Sequence, residues 1–477
     1  MLVQASAHPA IRRLVGTRRR QAILLVLAAV VAVLVALLVP AVQSQVRPAG
    51  ADNVILIVPD DMRADELAAM PELGRLAERG ISFSRAFVTT PLCCPSRASI
   101  LTGRYARNHG VLRNSPPNGG FQAFDDHSTL ATWLQAGGVR TGLVGRYLTG
   151  YQDTLYIPPG WDTWFGMFDS GDGYQRYHVN HNGERKYFGT KEEEYSTRVL
   201  TQESLRFLAE DRTRPFFLHV TPRAPHRPAR EDVLDAGLFK DRELPLAPSY
   251  DEEDVDDKPR WVRELPRLDP ATHEELEDFR RRTRGTLVSL DRGIAAIVEA
   301  LRADGRLDRT WIMFMSDNGF MLGEHRITLT KSCPYEECVR VPFVVIPPGG
   351  LDRGRSDGRI VANIDLAPTI AAIVGATPDG PIDGLDLLPV LRDQARDWRD
   401  AVVLEHPATT DEDRRFYAVR TADWKYVTYL NGEEELYDLA SDPYELTNLA
   451  ADPARATEKA DLAEKLSQLL GRAEVER

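Results

Sequence analysis

Asn53-Val54-Ile55-Leu56-Ile57-Val58 is a short, nearly continuous apolar run that stops at Pro59-Asp60-Asp61. An uninterrupted apolar run of this length suits a central strand covered on both faces, and the residues after it place two carboxylates at its carboxyl end. Working outward, Thr141 to Val144, Phe216 to Val220, Trp311 to Met315 and Pro342 to Ile346 read as further buried strands, and Ser128 to Gln135 and His273 to Ala303 as helices. The alternation predicts an α/β domain. In such sheets ligands bind where the chain leaves the carboxyl ends of the strands, and Ser316-Asp317-Asn318 occupies a second end of that kind. From about Asp397 the pattern changes to short alternating strands, Ala401 to Leu404, Phe416 to Arg420 and Trp424 to Leu430, followed by a helical run from Ala456 to Leu470. This predicts a catalytic domain over 53–395 and a smaller C-terminal α+β subdomain over 396–477. Arg227 to Asp269, rich in Asp, Glu and Pro, is too long for an ordinary connection and reads as an insertion near the mouth of the site.

The chain has 477 residues, 43% of them apolar, enough for a large core, and a net charge of −12 that argues against binding nucleic acid by phosphate neutralisation. A few Lys and Arg in a water-excluding cleft can still attract an anion. Residues 1–44 hold Arg12, Arg13, Arg18, Arg19 and Arg20, then an uncharged apolar run from Ala22 to Val39. That run suits a signal peptide or a retained signal anchor. Either predicts export, with the body secreted or anchored to the membrane outside the cytoplasm. The four cysteines, Cys93, Cys94, Cys333 and Cys338, are too few for a disulfide framework. Cys333 and Cys338 suit a local bridge and two ordinary thiols equally.

Cys93-Cys94-Pro95-Ser96-Arg97, followed by Leu101-Thr102-Gly103-Arg104, resembles the C-x-P-S-R and L-T-G-R signature of type I sulfatases. The resemblance implies an alkaline phosphatase-like fold, a large mixed sheet flanked by helices. It also implies that a formylglycine-generating enzyme converts Cys93 to formylglycine before export, because a thiolate attacking sulfur would leave a stable adduct, whereas a geminal diol can attack with one hydroxyl and expel sulfate with the other. Asp60, Asp61, Asp317 and Asn318 match the family's metal ligands, and four oxygen donors suit a hard cation, calcium in preference to magnesium. By the same resemblance Arg97 holds the formylglycine, Lys331 binds sulfate, and His226 in Ala224-Pro225-His226 binds sulfate and helps protonate the leaving alkoxide. His325 suits a substrate contact and a structural hydrogen bond equally.

Two positions depart from the family pattern. Arg146 stands where a catalytic lysine is usual; it keeps the charge but is a planar fork and a poor proton donor. Leu148 stands where many relatives carry a histidine, although the glucosamine-6-sulfatase-like branch commonly has leucine there. Pro248 to Trp261 is similar to an insertion of the N-acetylglucosamine-6-sulfatase and extracellular heparan-sulfatase branch, and Cys93-Cys94, Pro158-Pro159-Gly160 and Leu436-Tyr437-Asp438-Leu439 agree with it. The resemblance therefore implies hydrolysis of sulfate monoesters on a sulfated carbohydrate or an aryl sulfate. Two other readings stand beside it: a phosphonate or phosphodiester hydrolase of the same superfamily, and a surface protein that binds sulfated glycans through Arg97, Arg146 and Lys331 with little turnover.

Overall fold

The computed structural model describes residues 52–395, 397–407 and 412–471; the N-terminal run Ala22 to Val39 lies outside the described residues. Among the described residues, no helix is long and apolar enough to cross a membrane.

Ten strands form one mixed sheet. They are β1 (Asn53–Ile57), β2 (Ile81–Phe87), β3 (Arg140–Arg146), β4 (Thr163–Met167), β5 (Tyr177–His181), β6 (Glu184–Phe188), β7 (Phe216–Thr221), β8 (Thr310–Met315), β11 (Phe343–Ile346) and β12 (Arg355–Ala362). Between them β9 (Met321–Leu322) and β10 (Thr328–Thr330) make a small separate pair. The order across the large sheet is β12-β2-β11-β8-β1-β7-β3-β4-β5-β6. β1 is central and runs parallel to both neighbours, with Val54 opposite Phe217 and Trp311. Every residue of β1 is buried, because its successive side chains enter two different cores.

On one face Val54, Leu56 and Val58 pack with residues of α1 (Cys93–Thr102), α2 (Leu130–Ala136) and α5 (Leu366–Val374). On the other, Ile55 and Ile57 pack against Phe207 of α3 (Ser196–Glu210) and Leu290 and Ile294 of α4 (Pro270–Ala303). Each such aliphatic side chain contributes roughly 1.5–3 kcal/mol by burial. α4 begins three residues before the predicted His273, because the Asp269 carboxylate accepts the Thr272 N–H at 2.7 Å and Pro270 takes the first helical position.

The C-terminal region forms a four-stranded antiparallel sheet, β13 (Ala401–His406), β14 (Phe416–Thr421), β15 (Trp424–Tyr429) and β16 (Glu434–Asp438). Alternation divides its two faces. Val402 and Leu404 share a core with Phe87 and Ile360 of the large sheet, while Ala401 and Val403 pack under Leu462, Leu466 and Leu470 of α6 (Ala456–Leu470). The 227–269 segment is mostly turns with one short helix, Arg260–Arg263. It packs on the Gly323–Arg326 loop, where the Asp251 N–H donates to the Gly323 carbonyl (2.8 Å) and the His325 N–H to the Ser249 carbonyl (2.7 Å). Cys333 and Cys338 are joined in a disulfide; Cys93 and Cys94 are thiols.

Two positions that support the site generate predictions. Gly145 has φ +130°, and a Cβ there would lie 2.2 Å from the Thr221 carbonyl oxygen across the β3–β7 ladder. Gly145→Ala is expected to cost on the order of 1–3 kcal/mol from backbone strain alone, more with the clash, read as a lower urea midpoint. An unchanged midpoint would show that the ladder can yield there. His109 is half-buried, with Nδ1 accepting the Val111 N–H and Nε2 beside Ser99 Oγ of α1, both at 3.1 Å. Burial and the nearby Arg104 push its pKa down to about 3. The folded value lies below the unfolded one, so stability is complete above about pH 6.5 and is lost as pH falls toward 3, by up to ~1.4 kcal/mol per pH unit. His109→Gln is expected to make the stability curve between pH 6 and 5 shallower by about that amount; an identical slope would refute the assignment.

Candidate active site

The site grows from the carboxyl ends of β1 and β8. Because these strands are adjacent and parallel, the chain leaves them side by side, and Pro59-Asp60-Asp61 meets Ser316-Asp317-Asn318. Asp317 Oδ1 accepts the Asp61 N–H at 3.0 Å, and Ser316 Oγ accepts the Met62 N–H at 2.9 Å. Asp61 takes φ +69°, which turns the chain sharply out of the sheet. Asn318 Nδ2 donates to Asp61 Oδ1 at 2.6 Å.

Cys93 is the first residue of α1, a helix buried along its whole length. Asn363 holds it in place, accepting the Thr89 N–H (3.0 Å) and donating to Ser96 Oγ (2.9 Å). The Cys93 Sγ lies 3.3 Å from Asp60 Oδ1 and 2.7 Å from Lys331 Nζ. Lys331 also pairs with Asp61. One turn along α1, Arg97 bonds Asp317 Oδ2 through Nε (2.8 Å) and the Arg146 carbonyl through Nη1 (3.0 Å), with Nη2 3.5 Å from Asp60. Arg146 pairs with Asp60 through Nη1 and reaches Thr149 Oγ1 through Nη2 at 3.2 Å. His226 donates from Nδ1 to the Arg227 carbonyl (2.7 Å) and turns Nε2 toward Asp61 Oδ2 at 3.6 Å. Ligand atoms of Asp60, Asp61, Cys93 and His226 all lie within 4.8 Å of one another.

Burial dominates the electrostatics. It would raise the Asp60 carboxyl, but the Arg146, His226, Arg97 and Lys331 charges outweigh it and hold the group well below the usual carboxylate range. Asp317 is pushed up to about 6 by burial and the Asp60 charge, against the pull of Arg97. Burial and Asp60 also raise the Cys93 thiol, which keeps it protonated, and burial lowers His226 to about 4. Three carboxylates thus face three basic side chains in a space that excludes water. Asn318 Oδ1 is buried and accepts no hydrogen bond. An acceptor oxygen without a donor, beside three carboxylates, is the donor set a hard cation takes, so these residues fit a hard divalent cation.

Nine of the ten residues singled out from sequence therefore meet around Cys93. His325 does not. It is buried at φ +51°, its Nδ1 2.6 Å from Glu252 Oε2 of the 227–269 insertion and its ring stacked on Tyr335 at 4.3 Å. No hydrogen bond or ion pair joins it to the Cys93 cluster among the described residues, and its Nε2 is buried without a hydrogen-bond partner, so both of its readings stand. Sequence reasoning named Ser316 as part of the second strand end without giving it a role, and passed over Asn363; the two position the strand ends and α1. Nothing local marks Asn363.

The family description "Sulfatase" matches residues 52–376, and "N-sulphoglucosamine sulphohydrolase, C-terminal" matches 323–472. An extracellular sulfatase Sulf-1 homologue of Caenorhabditis elegans is 34% identical over 373 residues, 74% of this chain, and the chain spans about half (52%) of that relative's length. The N-acetylglucosamine-6-sulfatase of Homo sapiens is 30% identical over 452 residues, covering 83% of this chain and 81% of the relative. Among solved structures, one described as a complex with its substrate D-glucosamine-2-N,6-O-disulfate shares the fold at TM-score 0.78 and 24% identity, covering 88% of this chain and 97% of that one. The phosphonate monoester hydrolase of Agrobacterium radiobacter does so at TM-score 0.71 and 25% identity, covering 88% and 96%. With the signature at Cys93 on a helix end beside Asp60 and Lys331, and with a family match over most of its length, the chain belongs to the sulfatase family.

Proposed function

We propose that this protein is exported and hydrolyses sulfate monoesters of sulfated sugars, using a nucleophile made from Cys93 and a calcium ion held by Asp60, Asp61, Asp317 and Asn318. The observation that carries the reading is the position of Cys93 Sγ, within 3.3 Å of Asp60 and 2.7 Å of Lys331, inside a buried ring of basic groups. A protonated, buried thiol is a poor nucleophile, which fits a residue that works only after modification. Converted to formylglycine, Cys93 would supply a hydrated aldehyde with one hydroxyl to attack sulfur and a second to release sulfate. A bound hard cation would add positive charge against the sulfate oxygens.

The remaining chemistry belongs to the chain's own side chains. Lys331 is held by Asp61 next to Sγ, so its ammonium meets an ester oxygen there without reorganising. Arg97 ties α1 to β8 through Asp317 and fixes the strand end carrying Arg146. Arg146 acts by charge and shape and does not release a proton. His226 needs a proton on Nε2 to serve the leaving oxygen; burial disfavours that form, and an anion bound beside it would favour it. The names of the extracellular and N-acetylglucosamine-6-sulfatase relatives support export and a sugar substrate. A phosphonate monoester or phosphodiester also carries one negative charge, and the fold shared with a phosphonate monoester hydrolase gives this second reading its support.

Coexpression with a formylglycine-generating enzyme, followed by parallel assays on a sulfate monoester and a phosphodiester, separates the readings. We expect sulfate release to dominate, His226→Ala to lower kcat by roughly 10²–10⁴ and Lys331→Ala by about 10²–10³. A faster phosphodiester reaction would replace the sulfatase reading, and binding of sulfated sugar without turnover on either ester would make the protein a glycan binder. Calcium at a hundredfold its Kd is expected to stabilise the protein by about 2.7 kcal/mol in denaturant titration, and Asp317→Ala to abolish the gain. Equal stabilisation of the variant would place the ion elsewhere.

A further inference from the structure

Arg146 also lines a small cleft of about 10 Å³, room for one hydroxyl-sized group, together with Asp169, Gly173 and Arg223. The first two lie on the loop that leaves β4, the strand next to β3 and Arg146. Asp172 pins this loop by accepting the Tyr174 N–H (2.9 Å), the Gln175 N–H (2.8 Å) and Arg230 Nε (2.9 Å). Arg223 stands three residues before His226, and the Tyr174 hydroxyl donates to the His226 carbonyl at 2.7 Å, so both chain segments are tied at one place. Gly173, at φ +71°, makes room for the arginine: a Cβ there would lie 3.0 Å from Arg223 Cγ and Cδ.

The polar groups around the cleft are nearly but not quite paired. Asp169 Oδ2 accepts the Gly150 N–H at 3.1 Å. Its Oδ1 faces two guanidinium groups, Arg146 Nη2 at 3.6 Å and Arg223 Nη1 at 3.8 Å, both beyond hydrogen-bond distance. The Nε groups of Arg146 and Arg223 are buried and have no hydrogen-bond acceptor. A buried donor without an acceptor is costly to keep, and a gap between a carboxylate oxygen and two guanidinium groups matches one ligand group that both donates and accepts.

We propose that Asp169 and Arg223 form a specificity subsite that takes a ring hydroxyl of the sugar whose sulfate ester is cleaved; the proposal rests on the sulfatase reading above. The hydroxyl donates to Asp169 Oδ1 and accepts from Arg223. Arg146 belongs to both places, with one Nη on Asp60 and the other toward Asp169, so the subsite begins where the sulfate position ends. Arg223 shares its loop with His226, which places it on the leaving-group side. The Asp169 carboxylate, with a quarter of its side chain exposed, disfavours a second anionic substituent at this point.

The test compares D-glucosamine 6-sulfate with an aryl sulfate that has no ring hydroxyl, using the full-length modified enzyme. Asp169→Asn and Arg223→Lys are each expected to lower the sugar-to-aryl ratio of kcat/KM by about tenfold, mostly through KM, and Gly173→Ala to move it in the same direction by displacing Arg223. Titration of the unmodified chain, which does not turn over, gives a second readout: glucosamine 6-sulfate is expected to bind more tightly than inorganic sulfate, and Asp169→Asn to remove that advantage. An unchanged ratio in both variants, equal affinity of the native chain for the two ligands, or a preference that follows a second sulfate group overturns the subsite. If neither ligand binds and no sulfate ester is cleaved, the sulfatase reading has failed and the subsite with it.

Discussion

Burying Asp60, Asp61 and Asp317 together at the ends of two neighbouring strands is the constraint on which the rest of the site depends. Ionised carboxylates in a water-excluding space are very unfavourable unless cations neutralise them, and removing one partner of a buried pair leaves the other uncompensated. Each basic residue around Cys93 answers this demand. Arg97 comes from α1, Arg146 from the end of β3, and Lys331 from the segment after β10, so three distant parts of the chain are drawn to one point. In the proposed reaction the same cations would meet a substrate anion, which would link the stability of the site to its chemistry.

The scaffold delivers these groups with little freedom. β1, β8 and β7 are parallel neighbours, and the Asp60 N–H donates to the Ala224 carbonyl at 3.1 Å, so the loop carrying His226 is hydrogen-bonded to the residue that faces Cys93. Arg97 reaches the Arg146 carbonyl as well as Asp317, joining α1, β3 and β8 through one guanidinium group. A side chain fixed by several elements is positioned before substrate arrives, which is where electrostatic catalysis gains most.

Much of this was legible in the sequence, for physical reasons. β1, β7 and β8 are covered on both faces, so they appear as continuous apolar runs, and Asp60-Asp61 and Asp317-Asn318 announce themselves as charge at the end of such runs. β12 was not legible: it is an edge strand that begins Arg355-Ser356-Asp357 and shifts register before Ile360, so its polar half carries no burial signal. The β5–β6 hairpin was missed for a related reason, since all but one residue of β6 are exposed and charged or aromatic. The environment of His325 depends on Glu252, 73 residues earlier in the insertion, and composition does not reveal such a pairing. The Cys333–Cys338 bridge was one of two equal readings of the spacing and needed the fold to decide it.

The central claim is that Cys93 becomes the nucleophile, and it is tested most directly by the dependence of activity on the modified fraction. Preparations made with graded amounts of formylglycine-generating enzyme can be assayed for sulfate release in calcium, while peptide mass spectrometry measures the converted fraction of Cys93. The account requires specific activity to rise in proportion to conversion, on a line through the origin. Activity independent of conversion, or complete conversion with no sulfate released from any ester, would contradict it.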